Sequence, residues 1–306
     1  MFAEKMTVDA LPPFSFDLNA EIFANGDKQI RNYEKGRFWQ VIRVNSKLLL
    51  TTVEAAGTVD KPKVSVEMKS NREITAEDTK KAEKIVTALF SLDLDLKPFY
   101  ETVKDDKIMA QLTRKLWGLK IPTTPTIFEA LVDSIVEQQI SLKVANSIEN
   151  RIIKKFGETL DLDGAFYFAY PTPQQLASVS IEEFRQCGLS LRKGEYIKEA
   201  SGLIAEGKLN LETLKNRESS EQIIGELDMI RGIGVWTAEL TILRGMQRLD
   251  ALPADDLGLR RVISRYYRDG KVISSAEARQ IAESWGEWKG LAAYYLVVAD
   301  MKDIEI

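Results

Sequence analysis

Two adjacent carboxylates, Asp255 and Asp256, are the groups in this sequence whose type and position most favour chemistry. They follow an apolar segment that contains proline and precede the predicted start of a helix, where the helix dipole favours negative charge. We therefore expect at least one of them to be ionised and directed at whatever lies beyond the helix end. The alternative is structural, because aspartate is also a preferred N-cap residue.

The composition narrows what these carboxylates could do. The 306 residues include no histidine and one cysteine, which excludes Ser-His-Asp and Cys-His catalysis, histidine-bound metals, a four-cysteine zinc site and a disulfide framework. Acid–base chemistry must therefore come from carboxylates, lysines or tyrosines. The formal charge of −4 does not indicate a nucleic-acid partner, but net charge says nothing about how charges are distributed.

A second candidate site is the segment Gly232-Ile233-Gly234, which joins two amphipathic runs that are typical of helices. A turn between two helices presents free backbone N–H groups at the start of the second helix, and these groups suit a phosphate. Glycines allow the phosphate to approach the backbone closely. A tight turn without a ligand is the alternative, but the pattern from Leu227 to Gly245 favours a helix-hairpin-helix.

The segment after the two aspartates is basic. Between Gly258 and Arg268 there are four arginines and no acidic residue, at positions 260, 261, 265 and 268. Either these arginines form a solvated helix face, or Arg260 and Arg261 contact phosphates on the same side as the hairpin.

Two kinds of periodicity divide the chain. Residues 37–69 predict strands, since β-branched and aromatic residues are frequent and Val64 to Lys69 alternates strictly between apolar and polar. After the charged patch at 104–107 nearly every segment predicts a helix. We therefore expect an α+β protein: a small antiparallel domain over residues 1–104, followed by a helical domain over residues 105–306.

The sequence also bears on where the protein acts. Its first residues carry charges where a signal peptide needs an apolar core, and its longest apolar run, Leu291 to Ala299, is far shorter than the about 20 residues that span a bilayer. We expect a soluble, cytoplasmic protein without a membrane partner.

The hairpin, its Gly-x-Gly and an aspartate about twenty residues later together resemble the helix-hairpin-helix DNA glycosylase superfamily, most closely its AlkA-type 3-methyladenine DNA glycosylases. Residues 131–157 resemble the helix pair that carries the family's lesion-probing loop, and residues 170–201 resemble the stretch before the hairpin. The segment before residue 104 is similar to the family's N-terminal sheet, which is like that of the TATA-binding protein. The resemblance implies this sheet domain, followed by an all-α glycosylase domain.

The resemblance also implies roles for single residues. Asp256 matches the catalytic aspartate, and Gln139 matches the residue that fills the gap left by the everted base. Trp236 matches a pocket residue at the position where bifunctional members carry a Schiff-base lysine, and residues 235–243 contain no lysine. DNA phosphate contact is implied for the hairpin positions Gly232, Ile233, Gly234 and Thr237.

The sequence departs from the family pattern in the base pocket. Leu240 stands where the best-known member has an aromatic residue one turn after the hairpin tryptophan, and Val297 stands where the last helix carries a pocket tryptophan. Leu240 is still expected to contact the base. Either the base pocket is less aromatic than in the family, or Tyr294, Tyr295 or Phe14 supplies the missing aromatic surface.

These observations lead to the hypothesis of a monofunctional DNA glycosylase that flips out and hydrolyses alkylated, 3-methyladenine-like bases from damaged double-stranded DNA, leaving an abasic site. We expect a monomer that acts on chromosomal DNA and needs no cofactor for catalysis, although a monovalent cation could bind at the hairpin.

Two alternatives to this function stay open. One is a glycosylase of the same fold for oxidised or deaminated bases (8-oxoguanine, hypoxanthine or uracil). The other is a non-catalytic helix-hairpin-helix DNA-binding protein.

Overall fold

The computed structural model describes residues 1–306 and begins with an antiparallel sheet. Its five strands lie in the spatial order β1-β5-β4-β3-β2 and are β1 (Phe2–Asp9), β2 (Arg31–Glu34), β3 (Arg37–Val44), β4 (Lys47–Ala55) and β5 (Lys63–Ser70). Helices α1 (Phe16–Phe23) and α2 (Ala76–Leu89) accompany the sheet. The alternation predicted from Val64 to Lys69 is confirmed, because Val64, Val66 and Met68 are buried in β5.

The rest of the chain is mainly helical. Its first helices are α3 (Lys97–Val103), α4 (Lys107–Lys115), α5 (Ile127–Glu137) and α6 (Leu142–Phe156). After a short β hairpin come α7 (Pro173–Ser178), α8 (Ile181–Gln186), α9 (Leu191–Ala205), α10 (Leu211–Leu214), α11 (Ser220–Asp228) and α12 (Val235–Met246). The chain ends with α13 (Leu257–Tyr267), α14 (Ser275–Ala282), a 3-10 helix (Glu283–Trp288) and α15 (Lys289–Met301). The predicted fold class is confirmed.

The β hairpin is an element that the sequence interpretation missed. Strands β6 (Thr159–Leu162) and β7 (Ala165–Phe168) flank Asp163 and Gly164, both of which have positive φ. An Asp-Gly pair between two short runs is a known hairpin signal, so the sequence did contain the information. Leu160 and Leu162 pack against Val41 and Leu50 of the sheet, which ties this hairpin to the N-terminal domain.

The sheet part and the helical part of the chain each have a large hydrophobic core. A core of 18 buried residues lies between the sheet and its helices and ends along the chain at Leu92. A core of 50 buried residues begins at Leu96 and holds the helical part together. Phe99 and Val103 of α3, which precede the predicted boundary at residue 104, lie in the second core. None of the helices combines the length and the apolar character required to cross a membrane.

Candidate active site and nucleic-acid interface

The turn between α11 and α12 has the geometry of a phosphate-binding hairpin. Gly232 has a φ of +87°, and a Cβ atom there would overlap the ring of Tyr196, so both the backbone and the packing require glycine. Gly234, the N-cap of α12, is exposed, and the one atom near a Cβ there would be Oδ1 of Asp228 at 4.0 Å. The space in front of Gly234 is therefore open to a ligand.

The first turn of α12 leaves its donors free. No side chain caps this helix, and the backbone N–H groups of Val235, Trp236 and Thr237 donate no hydrogen bond to another protein atom. Such orphan donors at the positive end of a helix favour an anion, and a DNA phosphate meets this requirement. Ile233 lies behind the turn with its side chain buried in the helical core, so it can contribute to the hairpin only through its backbone.

Asp256 lies beside this hairpin and is held through both of its carboxylate oxygens. As the N-cap of α13, it accepts the backbone N–H of Leu259 at Oδ1 (2.7 Å), and it accepts the indole N–H of Trp236 at Oδ2 (3.2 Å). Asp256 and Trp236 are both partly exposed. The carboxylate therefore combines a fixed orientation with access from solvent, and its capping role does not prevent a catalytic one.

An ion pair between the buried carboxylate of Glu239 and the partly exposed Arg279 fixes the loop that leads to Asp256. Arg279 on α14 approaches Glu239 of α12 at 2.9 Å and donates a hydrogen bond to the carbonyl of Leu252 (3.1 Å). Burial raises the pKa of Glu239, and Arg279 opposes that shift. Asp255 is exposed, with its carboxylate 3.9 Å from Arg279. The two adjacent aspartates therefore have different environments, and Asp256 is the one held against Trp236.

The loop between α5 and α6 lies next to the hairpin. Gln138 directs its side-chain amide inward and donates hydrogen bonds to the carbonyl of Gly232 (2.9 Å) and to the hydroxyl of Thr237 (3.0 Å). Gln139 has a φ of +55° and is exposed. Ser141, two residues after Gln139, caps α6. The side chain expected to enter the DNA is therefore free, while its neighbour is bound to the protein.

Charged and polar groups lie along one face of α12. The sequence analysis did not identify Arg244 and Glu137 as part of this site. Arg244 lies two turns after Trp236 and forms an ion pair with Glu137 at 2.6 Å, and Asp256 is near enough for its charge to act on Arg244. Leu240 lies between Trp236 and Arg244 on this face and is buried. The buried hydroxyl of Tyr294 has no partner, and burial raises its pKa while the charge of Arg244 opposes that shift.

Two of the three aromatic residues expected to complete the base pocket are core residues, so that expectation was wrong for them. Phe14 is buried in the core of the sheet domain. Tyr295 is fully buried and donates a hydrogen bond to the carbonyl of Leu119 (2.7 Å). Tyr294 and Val297 are partly exposed and remain candidates.

The arginines of α13 are less free than the sequence indicated. Asp300 of α15 pairs with both Arg261 (2.9 Å) and Arg265 (2.7 Å), so an acidic group from another helix adjoins the arginines although their own segment contains none. Arg260 donates a hydrogen bond to the carbonyl of Ile273 (3.3 Å). The side chains of Arg260 and Arg261 form no hydrogen bond or ion pair with the hairpin. The sequence could not show this, because Asp300 lies 39 residues after Arg261.

No group of three or more acidic or cysteine side chains in the structure is arranged to hold a metal ion. The monovalent cation suggested for the hairpin would have to use backbone carbonyls, and it stays a prediction.

Comparisons with known proteins show the family of this chain. Residues 132–287 match the family described as "HhH-GPD superfamily base excision DNA repair protein", and residues 22–131 match the "8-oxoguanine DNA glycosylase, N-terminal domain" family. The first match includes the loop between α5 and α6 that carries Gln138 and Gln139, called the probe loop below. It also includes the hairpin, Trp236 and Asp256. The chain therefore belongs to the HhH-GPD superfamily of base excision DNA repair proteins.

Individual relatives indicate which enzymes of this superfamily the chain is similar to. A DNA-3-methyladenine glycosylase of Bacillus subtilis is 33% identical over 215 residues, which cover 70% of each chain. The 3-methyladenine DNA glycosylase of Archaeoglobus fulgidus has the same fold, with a TM-score of 0.86 at 24% identity over 98% of this chain and all of that one. The Schizosaccharomyces pombe enzyme Mag1, solved with abasic DNA, covers 69% of this chain and 100% of its own at 26% identity and a TM-score of 0.58. The predicted family and enzyme class, a DNA N-glycosylase of base excision repair, are thereby confirmed.

Proposed function

We propose that this chain is a monofunctional DNA glycosylase that excises alkylated, 3-methyladenine-like bases from duplex DNA and leaves an abasic site. The observation that carries the proposal is the hydrogen bond between Trp236 and Asp256. The donor is an aromatic side chain, Trp236, which stands where the family resemblance gives bifunctional members a lysine. The names of the relatives, which are 3-methyladenine glycosylases, support the choice of substrate.

Binding would begin at the hairpin. The free N–H groups at the start of α12 would hold one phosphate, which positions the duplex without reading its sequence. The target base lies inside the stack and must be flipped out to be reached, and Gln139 would fill the space it leaves. Arg260 and Arg261 would add phosphate contacts, with the exposed Arg261 exchanging part of its pairing with Asp300 for DNA. We further propose that the protein acts as a monomer.

The carboxylate of Asp256 would then stabilise the reaction. Departure of the base leaves positive charge on the sugar, as in glycoside hydrolysis, and a preorganised carboxylate below the sugar stabilises that charge. The bonds from Trp236 and Leu259 fix both oxygens and leave further lone pairs free for the sugar or for a water molecule. A base made cationic by alkylation is already a good leaving group, so the lack of histidine is no obstacle.

One observation favours the second candidate, a glycosylase for oxidised bases. Residues 22–131 match a family named for 8-oxoguanine DNA glycosylase. Against it, a lyase step needs an amine that forms a Schiff base with the sugar, and residues 235–243 contain no lysine. A purely DNA-binding protein is less consistent with the site, because a carboxylate beside the hairpin would repel phosphates.

The test is a set of duplexes that each carry one defined lesion. We expect release of free alkylated base, strands that stay intact until hot alkali breaks the abasic site, and no covalent complex with borohydride. Stoichiometric trapping by borohydride together with release of 8-oxoguanine would favour the second candidate instead.

A further inference from the structure

Gln138 and Gln139 are identical in type and adjacent in sequence, yet the structure uses them in opposite ways. The amide of Gln138 is partly buried and donates to two acceptors, the carbonyl of Gly232 and the hydroxyl of Thr237. The side chain of Gln139 is exposed, on a backbone with a φ of +55°. An L-residue in this left-handed conformation is strained, so other contacts must hold the loop in place.

The two acceptors of Gln138 belong to the phosphate-binding turn itself. Gly232 forms the bend of the hairpin, and Thr237 is the third residue of α12, one of the three whose N–H groups are free. The side chain of Gln138 therefore links the hairpin, which would hold DNA, to the loop that carries Gln139, which would enter the DNA. Movement of this loop relative to the hairpin and the first turn of α12 would break both bonds.

Other contacts hold the end of α5 but do not reach the hairpin. Lys193 donates a hydrogen bond to the carbonyl of Val136 (2.9 Å), which satisfies one of the orphan acceptors at this helix end. The ion pair between Glu137 and Arg244 attaches α5 to a later turn of α12. Gln138 is therefore the side chain of this loop that bonds to the phosphate-binding turn.

We propose that Gln138 is a positioning residue that couples the hairpin to the probe loop, so that capture of a phosphate by the hairpin holds Gln139 where it enters the duplex. This inference rests on the proposed function, because it needs a reaction in which a base is flipped. Its consequence is that Gln138 acts through Gln139. The loss of its amide should slow base flipping and should leave phosphate binding and the chemical step intact.

The experiment compares Gln138→Leu, which has a similar volume but no hydrogen-bonding group, with Gln139→Ala and with the double variant. Gln111→Leu is the matched control, because Gln111 is exposed on α4 and bonds to the carbonyl of Lys107 far from the site. Single-turnover excision is measured for one lesion in a fully paired duplex and for the same lesion left unpaired. Affinity for undamaged duplex and the unfolding temperature are measured for each variant.

For Gln138→Leu we expect excision from the paired duplex to fall about tenfold, the size expected for the loss of two neutral hydrogen bonds. Excision of the unpaired lesion and affinity for undamaged DNA should match those of the Gln111→Leu control. Adding Gln138→Leu to Gln139→Ala should cause no further loss, because the two residues act as one unit. Equal losses on both substrates, or multiplied losses in the double variant, would overturn the coupling and leave Gln138 a structural residue.

Two further measurements keep the inference testable. If Gln138→Leu does not fold, Thr237→Val removes one acceptor from the other side and should reproduce part of the effect on the paired duplex. If the wild-type protein releases no base from any lesion, the proposed function fails. The fluorescence of 2-aminopurine beside the target then reports flipping directly, and an equal rise for wild type and Gln138→Leu would overturn the coupling on its own.

Discussion

The indole N–H of Trp236 donates a hydrogen bond to Oδ2 of Asp256 at 3.2 Å, across 20 residues of sequence. The bond joins the first turn of α12 to the N-cap of α13. It therefore brings the hairpin proposed to bind phosphate, an aromatic surface and the candidate catalytic carboxylate to one place.

This contact predicts the effect of Trp236→Phe. Phenylalanine keeps an aromatic ring against the base but cannot donate to the carboxylate. Since a hydrogen bond to a charged group contributes about 1.5–3 kcal/mol, we expect single-turnover excision to fall by about tenfold or more while DNA affinity is unchanged. Measured rates equal to those of the wild type would show that the indole N–H does not orient Asp256.

The two hairpin glycines should respond differently to substitution. In Gly232→Ala the new methyl group would overlap the ring of Tyr196 on a backbone with positive φ, so we expect a lower unfolding temperature. In Gly234→Val the fold should persist, since the space there is open, but DNA binding should weaken equally for every lesion. Thermal unfolding and duplex affinity separate the two effects. A lesion-specific loss for Gly234→Val would contradict the phosphate role.

The raised pKa of Glu129 on α5 predicts that the free energy of unfolding depends on pH. Burial raises the pKa of this carboxyl from 4.5 to about 8, opposed by Thr126, Arg31 and Arg43 and reinforced by Glu149. The folded state thus binds a proton that the unfolded state releases at a lower pH. The stabilisation is complete below pH 4.5 and is lost as the pH rises through about 8.

The control for this prediction is Glu129→Gln, which stays neutral. The difference in free energy of unfolding, wild type minus variant, should decrease between pH 4.5 and 8. A difference that is constant or rises over this range would mean that Glu129 is ionised in the folded protein.

Features that depend on neighbouring residues could be predicted from the sequence. The strict alternation from Val64 to Lys69 follows from the two-residue period of a strand, and it is present in β5. The hairpin is equally local, because its glycines and its amphipathic flanks lie within one segment.

Features that depend on distant contacts could not be predicted. The ion pair between Glu137 and Arg244 joins residues 107 positions apart, and periodicity gives the face of a helix but not its partner. Tyr294 and Tyr295 are adjacent and identical in type, and only the packing of α15 decides that Tyr295 enters the core. The opposite orientations of Gln138 and Gln139 depend in the same way on the position of the hairpin.

The most direct test of the central claim is the release of free alkylated base from a single-lesion duplex by wild type and by Asp256→Asn. Asparagine is as good an N-cap as aspartate, so the α13 cap and the fold should survive, and DNA affinity should persist. Asp255→Asn is the matched control and should retain activity. We predict that Asp256→Asn binds the duplex as the wild type does and releases no base. Release at the wild-type rate, or loss of DNA binding together with activity, would contradict the catalytic role of Asp256.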